Sequence, residues 1–403
     1  MSQGATKTAL GGAALLTCFV ATTSLADSFA GLGQLAGHKF GGTNSAALGI
    51  SGDGVVVVGE ARTEPDFATG NSYMQAFRWT AQDGMQPLGV LSDLNQYSSA
   101  KAVSDDGRVV VGQSNGEHGR GEAFFWTAQD GAMQGQMQGL GASENTRSEA
   151  TGVSSDGRII VGIYKNKQAF RWTLGDGMQP LGALATKPNA KEESHAADLS
   201  DDGSVIVGGS QSSTKGVKAV RWVNGAAHDL KENNPPNNGK AYKAVCVTAD
   251  GNLVMGIGSH PKNNFFCWTQ AGGIQWLGSI GPRGQITDMS ADGSVVVGQR
   301  SGLGKANSSL GGPFIWTKGG GMQSLQELFI TKGLITQRPR DIGTKISPTH
   351  DTDWTIAQVT GISDDGQTLV GTGNHHGQQE AWIAHLDTEP PHHCKATTFF
   401  ACF

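Results

Sequence analysis

One short pattern of polar and apolar positions recurs seven times along the chain. Each copy consists of Ser or Thr, any residue, Asp-Gly, any residue, a short apolar run and a final Gly. The Asp-Gly pairs begin at Asp53, Asp106, Asp156, Asp202, Asp250, Asp292 and Asp365. Recurrence at a period of roughly 40–55 residues is typical of repeat architectures. We therefore expect one large repeat domain rather than several independent domains.

The second copy shows which elements one repeat predicts. Residues 100–104 and the apolar run 108–112 predict two strands joined as a hairpin, because Asp-Gly between apolar segments is a strong hairpin signal. After a variable loop, the aromatic segment 123–127 predicts a third strand. A Gly-containing turn then leads to a fourth strand that ends at 138–141. Each repeat is therefore expected to supply four short antiparallel strands.

Seven such repeats predict an all-β fold, a seven-bladed β-propeller of four-stranded antiparallel blades. A propeller must close on itself, and the two ends of the repeat region indicate how. The seventh repeat ends at Leu386 without a fourth strand, whereas residues 29–35 form an orphan copy of that strand ahead of the first hairpin. We expect this N-terminal strand to complete the last blade and to cover two sheet edges.

A large aromatic residue occupies a fixed place in most third strands. This column consists of Trp79, Trp126, Trp172, Trp222, Trp268 and Trp316. The indole rings could stack on sugars, but packing between neighbouring blades is the simpler interpretation of evenly placed aromatic residues. Trp276 and Trp354 lie outside the column and are the better candidates for exposed contacts.

The aromatic strand, the Gly turn and the following Met-Gln-Pro-Leu-Gly segment resemble the HAF repeat of exported bacterial proteins. The resemblance covers residues 29–386, although Gln, Glu or Lys stands where the family name expects His before Ala-Phe. It implies an extracellular or surface-associated repeat protein, sometimes the passenger of an autotransporter, and no established reaction. The 17 residues after Leu386 are too few for a translocator barrel, so we do not expect a complete autotransporter.

The first 26 residues have the pattern of a secretory leader. Lys7 is their only charged side chain, an apolar stretch spans 9–20, and Ser24-Leu25-Ala26 offers small residues at the two positions that signal peptidase reads. The apolar stretch is short and rich in Gly and Thr, which argues against a membrane anchor. The mature chain is therefore expected to be secreted, periplasmic or on the cell surface, without a transmembrane segment.

These features predict three segments, namely a signal peptide over 1–26, the propeller over 27–387 and an irregular tail over 388–403. Composition agrees with many short strands, since the chain has 60 Gly and only 16% charged residues. The net charge of −5, without a block of like charge, excludes the electrostatic pattern of a nucleic-acid-binding protein. No nucleophile elbow, phosphate loop or dinucleotide fingerprint occurs, so we predict no cofactor. We expect a monomer.

The cysteines are candidates for disulfide bonds, and the histidines and turn aspartates are candidate metal ligands. Cys394 and Cys402 could close a small disulfide loop in an oxidising compartment. Cys246 and Cys267 are predicted to be free buried thiols, because a strand should lie between them. Adjacent residues such as His375-His376 should point apart, and the Asp-Gly turns lack the six to eight oxygen ligands that calcium needs. We predict no metal site.

For an enzyme, catalytic groups should converge where the first strands of the blades line the central channel. Alignment of the repeats on the turn Ser or Thr places Glu149, His195 and Lys243 in one column of such positions, and Asp198 and Asp288 in another. These five residues could form an acid–base set at the channel mouth. Polar residues also line water-filled channels without any catalytic role, so catalysis is the alternative hypothesis to a binding function.

Comparison of the repeats with one another predicts two unlike faces. The turns between strands one and two are all Asp-Gly, whereas the connections on the opposite face vary widely. They include residues 60–74, 163–167, 231–240, 299–312 and 327–353. Binding residues usually lie on variable loops. The leading hypothesis is a binding or adhesion module for an unknown protein or glycan, and the alternatives are a propeller hydrolase or lyase and a structural surface protein or passenger fragment.

Overall fold

A computed structural model of the protein describes residues 26–35, 44–65, 70–93, 96–117, 119–129, 132–141, 146–165, 167–184, 193–212, 216–230, 242–258, 264–281, 283–300, 311–336 and 353–387. Within these ranges, 28 strands form seven four-stranded antiparallel sheets, and there is one helix. The fold is a seven-bladed β-propeller, as predicted. Residues 1–25 of the predicted signal peptide and the predicted tail at 388–403 lie outside the described residues.

Each of the first six blades is a meander of four consecutive strands. Blades 1 to 3 consist of β2 (Ser45–Ile50), β3 (Val57–Arg62), β4 (Met74–Thr80) and β5 (Gly84–Gly89); β6 (Ser98–Val103), β7 (Val109–Asn115), β8 (Gly121–Gln129) and β9 (Ala132–Gly139); and β10 (Ser148–Val153), β11 (Ile160–Tyr164), β12 (Gln168–Thr173) and β13 (Gly177–Pro180). Blades 4 to 6 consist of β14 (Ser194–Leu199), β15 (Val205–Ser212), β16 (Gly216–Val223) and β17 (Ala226–Asp229); β18 (Tyr242–Val247), β19 (Leu253–Gly258), β20 (Asn264–Thr269) and β21 (Gly273–Ser279); and β22 (Gln285–Met289), β23 (Val295–Arg300), β24 (Gly312–Thr317) and β25 (Gly321–Ser324).

Blade 7 takes its strands from both ends of the repeat region. Helix α1 (Leu325–Thr331) follows β25 and precedes the last three strands, which are β26 (Trp354–Ile362), β27 (Thr368–His375) and β28 (Gln378–His385). The fourth strand is β1 (Ser28–Gly31), which pairs antiparallel with β28 in the order β1-β28-β27-β26. The predicted closure of the ring by the N-terminal strand is therefore present.

The closing joint uses the same contacts as an ordinary joint between blades. Between blades 1 and 2, the Ser98 hydroxyl of β6 accepts the Ala76 N–H at 2.9 Å and donates to the Gly89 carbonyl at 2.6 Å. At the closing joint, the Ser45 hydroxyl accepts the Ala381 N–H at 3.1 Å and donates to the Gly33 carbonyl at 2.9 Å. The segment after β1 thus takes the place of a fourth strand that the seventh repeat lacks.

Contacts with α1, with β28 and with the residues that follow them hold the N-terminal strand in place. The Phe29 ring lies 5.5 Å from that of Phe329 on α1 and 5.8 Å from that of Trp382 on β28. The Asp27 carboxylate accepts the Asp387 N–H at 2.7 Å and lies 2.8 Å from the Lys332 ammonium. The hydrogen bond from Lys332 lowers the pKa of Asp27. The connection between blades 6 and 7 therefore contributes a helix that packs against the closing strand.

All seven Asp-Gly turns share one hydrogen-bond network. The Asp carboxylate accepts from the Ser or Thr hydroxyl two residues earlier at 2.5–2.8 Å and from the N–H two residues later at 2.9–3.0 Å. The Gly adopts positive φ, for example +68° at Gly107, which a residue with a side chain adopts at a cost. These carboxylates therefore stabilise their own turns.

The final Gly of the repeated pattern has a packing cause. The pairing between the first and second strands of each blade shifts register near the middle of the first strand, as between Ala100 and Ala102. This irregularity brings a carbonyl oxygen of the first strand toward the second strand. A Cβ atom at Gly112 would overlap the Ser99 carbonyl oxygen, and the equivalent glycine of every other blade meets the equivalent oxygen. A side chain at this position would push the two inner strands apart.

The hydrophobic core is divided among the seven interfaces between blades. Each of seven clusters of buried side chains joins residues of two neighbouring blades. Trp126, for example, packs with Val56 and Val58 of blade 1. The closing strand takes part as well, because Leu32 and Leu35 lie in the cluster between blades 7 and 1. The prediction that the Trp column packs between blades is confirmed.

Two expectations about individual side chains were wrong. Trp354 is only 5% exposed rather than a surface contact, because α1 and Phe29 cover its ring.

The second concerns the cysteines. Cys246 is a free buried thiol and Met255 of β19 lies between it and Cys267, as predicted. Cys267, however, is disulfide-bonded. The predicted disulfide between Cys394 and Cys402 lies outside the described residues.

In the described ranges, the structure contains no helix that is long and apolar enough to cross a membrane.

Replacing Phe29 should weaken the closure of the ring. Phe29→Ala removes an aromatic side chain from the joint between β1, β28 and α1, and we expect the free energy of unfolding to fall by roughly 2–4 kcal/mol. Thermal unfolding followed by circular dichroism gives the measurement. Leu174→Ala, at a position that is 84% exposed, is the control and should change stability by less than about 0.5 kcal/mol. Equal melting temperatures for Phe29→Ala and the native chain would contradict this role of β1.

Candidate functional site

The two ends of the propeller differ in composition. Because every blade is a meander, the turns between strands one and two and between strands three and four lie on one face, which we call the scaffold face. The connections between strands two and three and between blades lie on the other, which we call the variable face. Helix α1 belongs to the connection between blades 6 and 7. The predicted asymmetry between two faces therefore corresponds to the two ends of the channel.

The first strand of each blade lines the central channel. The channel encloses a cavity of about 260 Å³, and residues of all seven blades contribute to its wall. Its acidic lining residues are Asp105, Asp198, Asp201, Asp288 and Asp364. Among the described residues, Lys101 is the only basic side chain that lines this cavity. The channel interior is therefore acidic.

Asp198 and Asp288 connect neighbouring blades inside the channel. One oxygen of the Asp198 carboxylate accepts the Leu199 N–H at 2.8 Å, and the other accepts the Val247 N–H of the next blade at 2.9 Å. Asp288 binds the Met289 N–H at 2.8 Å and the Ile362 N–H of the next blade at 3.0 Å in the same way. Both carboxylates satisfy backbone groups that would otherwise lack a partner in the wall.

The enclosed position of these two carboxyl groups alters their acidity. Burial raises the pKa of Asp198 to about 6. Burial and the nearby charge of Asp198 raise the pKa of Asp288 to about 7. Burial also keeps the Cys246 thiol, which lies between them in the chain, protonated by raising its pKa. At neutral pH, Asp288 is therefore divided between its protonated and ionised forms.

A belt of backbone hydrogen bonds surrounds the scaffold end of the channel. In blades 2 to 7, the residue before the turn Asp donates its N–H to the carbonyl of the equivalent residue in the next blade. Six such bonds of 3.0–3.3 Å run in order through Asp105, Ser155, Asp201, Ala249, Ala291, Asp364 and Gly52. The last of them, from the Asp364 N–H to the Gly52 carbonyl at 3.0 Å, joins blade 7 to blade 1. The belt therefore continues across the closing joint.

Three carboxyl groups converge inside this belt. A Cβ atom at Gly52 would overlap Asp364 Oδ2 and would lie 2.9 Å from Asp105 Cγ, so that both side chains lean over the glycine. Burial and the charges of Asp105 and Asp201 raise the pKa of Asp364 to about 6. Burial and Asp105 raise the pKa of Asp201 as well. This convergence was not predicted from the sequence, because Asp105, Asp201 and Asp364 belong to three different repeats.

The five predicted acid–base residues do not share one cavity. Asp198 and Asp288 line the channel, whereas Glu149, His195 and Lys243 belong to the start of the first strands, toward the variable face. Glu149 lies 3.9 Å from the Lys101 ammonium. Burial lowers the pKa of His195, and the charge of Lys243 lowers it further. The structure thus forms an acidic pair, a Glu–Lys pair and a His–Lys pair.

The histidine pair of blade 7 takes part in packing. His375 Nδ1 lies 2.7 Å from a Glu380 carboxylate oxygen, and its ring stacks on Trp354 with centroids 4.4 Å apart. The His376 ring lies 4.4 Å from that of His375, so the expectation that the two point apart was wrong. The positive φ of His376, +51°, turns the chain sharply at this place. Within the described part of the chain, no group of three or more potential ligands is arranged to hold a metal ion.

Two cavities open beside the described residues of the variable face. One, of about 500 Å³, lies between α1 and blade 6 and is lined by both apolar and charged side chains, among them Phe314, Arg300 and Glu327. The other, of about 390 Å³, lies over blade 2 and its connection to blade 3 and is lined by polar groups, including Tyr97, Gln113 and two arginines. Both are as large as typical small-ligand sites.

Among solved structures, the chain resembles several propellers. It is 10% identical to the β-propeller domain of the Trilobed protease from Pyrococcus furiosus, with a TM-score of 0.49 over 87% of this chain and 99% of that one. It is 12% identical to TolB from Acinetobacter baumannii (TM-score 0.43, 67% and 63% covered) and 15% identical to a TolB from Agrobacterium tumefaciens (TM-score 0.39, 59% and 81% covered). No protein-family model and no curated protein matches the sequence. The number of blades follows from the strand order of the chain itself.

The channel carboxyl groups should make stability depend on pH. The folded state holds a proton on Asp288 up to about pH 7, whereas the unfolded chain loses it near pH 4, so the folded state binds more protons in between. This contribution is complete below the unfolded pKa and is lost as pH rises through the folded pKa. Asp288→Asn should therefore flatten the fall in unfolding free energy between about pH 4 and pH 7. Urea titrations at several pH values measure that slope.

Asp176→Asn, at an exposed turn of the scaffold face, is the matched control for that experiment. It should leave the slope of the native chain unchanged. The same slope in Asp288→Asn and the native chain would contradict a protonated Asp288 in the folded state.

Proposed function

We propose that this protein is an exported binding module that recognises a protein or glycan with its variable face. The observation that carries the proposal is the difference between the two faces. The seven scaffold turns repeat the same hydrogen bonds, whereas the variable face has connections of unequal length and two cavities of about 390 and 500 Å³. Recognition of a partner requires surface groups that are not already used by the fold.

The scaffold turns offer few such groups. One carboxylate oxygen of each turn Asp already accepts two hydrogen bonds from its own turn, and the Ser or Thr hydroxyl is used there as well. Around the channel, the backbone belt uses the N–H groups of the residues next to the turns. The scaffold face is therefore suited to holding the ring together, and the variable face is suited to binding.

Export is part of the proposal. It is supported by the leader-like pattern at 1–26, with Asp27 as the first residue after the predicted cleavage site, and by the resemblance of residues 29–386 to HAF repeats. A monomer is the simplest form and is part of the proposal. A structural surface protein or a passenger fragment would use the same scaffold without a specific ligand.

Catalysis in the channel is the second candidate function. Its support is the pKa of about 7 for Asp288, since a carboxyl group that titrates near neutral pH can act as a general acid or base. Against it, Asp198 and Asp288 both accept two backbone N–H groups, and Glu149, His195 and Lys243 lie apart from them. The binding function therefore fits the geometry better.

Blocking one face at a time should show which face of the propeller binds the partner. A bulky polymer attached at Lys167→Cys, in an exposed connection of blade 3 on the variable face, should lower the affinity for a partner at least tenfold. The same polymer at Arg158→Cys, beside the Asp-Gly turn of the same blade, is the control and should have little effect. Arrays of glycans and surface proteins identify the partner, and the affinity is then measured for both conjugates. Absence of any binding at high protein concentration, or equal loss at both positions, would refute the proposal.

A further inference from the structure

The smaller cavity of the variable face has an unusual lining. It measures about 390 Å³. Tyr97, which precedes β6, lies on one side of it, and Arg147, which precedes β10, also lines it. The end of β7 and the start of β8 complete the described lining. Arg120 and Arg147 contribute two guanidinium groups, while Tyr97, Gln113 and Asn115 contribute a hydroxyl and two amides. Within the described chain, no carboxylate lines this cavity. Its character is therefore opposite to that of the acidic channel.

A buried glutamine orients one of the guanidinium groups. Gln113 is only 5% exposed, and its amide nitrogen donates to the Ser148 carbonyl at 2.8 Å. This bond fixes which way the amide faces, so its oxygen points toward Arg147 and accepts a hydrogen bond from it at 3.3 Å. The guanidinium has five N–H donors in a rigid plane, and most of them remain available after this contact. Arg147 is thus partly preorganised for a further acceptor.

The opposite wall of the cavity is fixed through its backbone. The Tyr97 carbonyl accepts the Asn115 N–H at 2.9 Å and the Ser114 hydroxyl at 3.1 Å, which ties Tyr97 to β7. Burial and the charge of Glu60 raise the pKa of Tyr97, although a hydrogen bond with Ser99 lowers it. The Arg120 carbonyl accepts the Gly116 N–H at 3.0 Å in a tight turn. The backbone on this side of the cavity is therefore held in place by the fold.

We propose that this cavity binds a sugar acid, with the carboxylate of the sugar held by Arg147, the guanidinium that Gln113 orients. Planar guanidinium groups bind carboxylates through two parallel hydrogen bonds, and Arg120 adds a second positive charge to the same lining. Tyr97 and Asn115 belong to the same lining, and in the proposed complex they contact the sugar ring and its hydroxyl groups. The inference rests on the proposed binding function and names the class of its ligand.

A sugar acid fits this lining better than the other anionic ligands. An acidic peptide side chain presents a carboxylate on an apolar stem, whereas the described lining is polar apart from the Tyr97 ring. Inorganic phosphate or sulfate would satisfy the arginines but would leave most of a cavity of about 390 Å³ without contacts. A monosaccharide with a carboxylate uses both the charged and the neutral polar groups.

Isothermal titration calorimetry on the full-length protein tests the assignment at low salt. The probes are a trimer of galacturonic acid, the neutral galactose trimer, a tri-glutamate peptide and inorganic phosphate. We expect the acidic trimer to bind at least tenfold more tightly than any of the other three. Arg147→Gln should weaken this binding at least tenfold, and Arg147→Lys should recover only part of the loss, because lysine keeps the charge without the paired donors.

Arg158→Gln is the matched control, because Arg158 is an exposed arginine on the scaffold face of the next blade. It should leave the affinity unchanged, and circular dichroism should show the same unfolding transition for all variants. Absent binding of the acidic trimer, equal binding of the neutral trimer, peptide or phosphate, or an unchanged affinity in Arg147→Gln would overturn the inference. A partner found on the arrays whose binding survives Arg147→Gln would leave the binding function intact and refute only the sugar-acid site.

Discussion

The pairing of β1 with β28 is the constraint on which the rest of the structure depends. Each hydrophobic cluster joins only two neighbouring blades, so no central core holds the blades together if one interface opens. Closure therefore has several independent supports. The ladder from Ser28 to Gly31, the aromatic contacts of Phe29 and the ion pair of Asp27 with Lys332 act on the same short segment. Leu32 and Leu35 add packing against blade 1.

Repetition in the sequence and diversity on the surface have a common physical origin. The inner strands must fit around a narrow channel, which requires a glycine opposite each irregular carbonyl and a compact turn at the scaffold end. These requirements are the same in every blade, so the same residues recur. The same requirement does not apply to the connections on the variable face, which differ in length from blade to blade. The fold can therefore accept loops as different as the two-residue hairpin before Gln378 and the insertion that contains α1.

Much of the fold could be predicted from the sequence because its causes are local. Asp-Gly turns and apolar runs predict hairpins wherever they occur, and the missing strand after Leu386 matches the surplus strand at 29–35. The candidate sites depend instead on residues from different blades. Asp105, Asp201 and Asp364 are far apart in the chain and resemble ordinary turn residues, so their convergence required the ring geometry. Trp354 appeared exposed because the helix that covers it lies in an insertion without a repeat pattern.

The position of β1 also bears on how the chain reaches its native state. A chain that is synthesised from its N-terminus produces this strand first, yet its partner β28 is among the last strands to be made. Blades 1 to 6 can assemble from neighbouring segments, but the final joint links Phe29 to Ala384 across most of the chain. During that interval β1 has no partner, and its length of only four residues limits the strand edge that it offers to other chains. The shortness of this strand therefore protects the molecule while it is still incomplete.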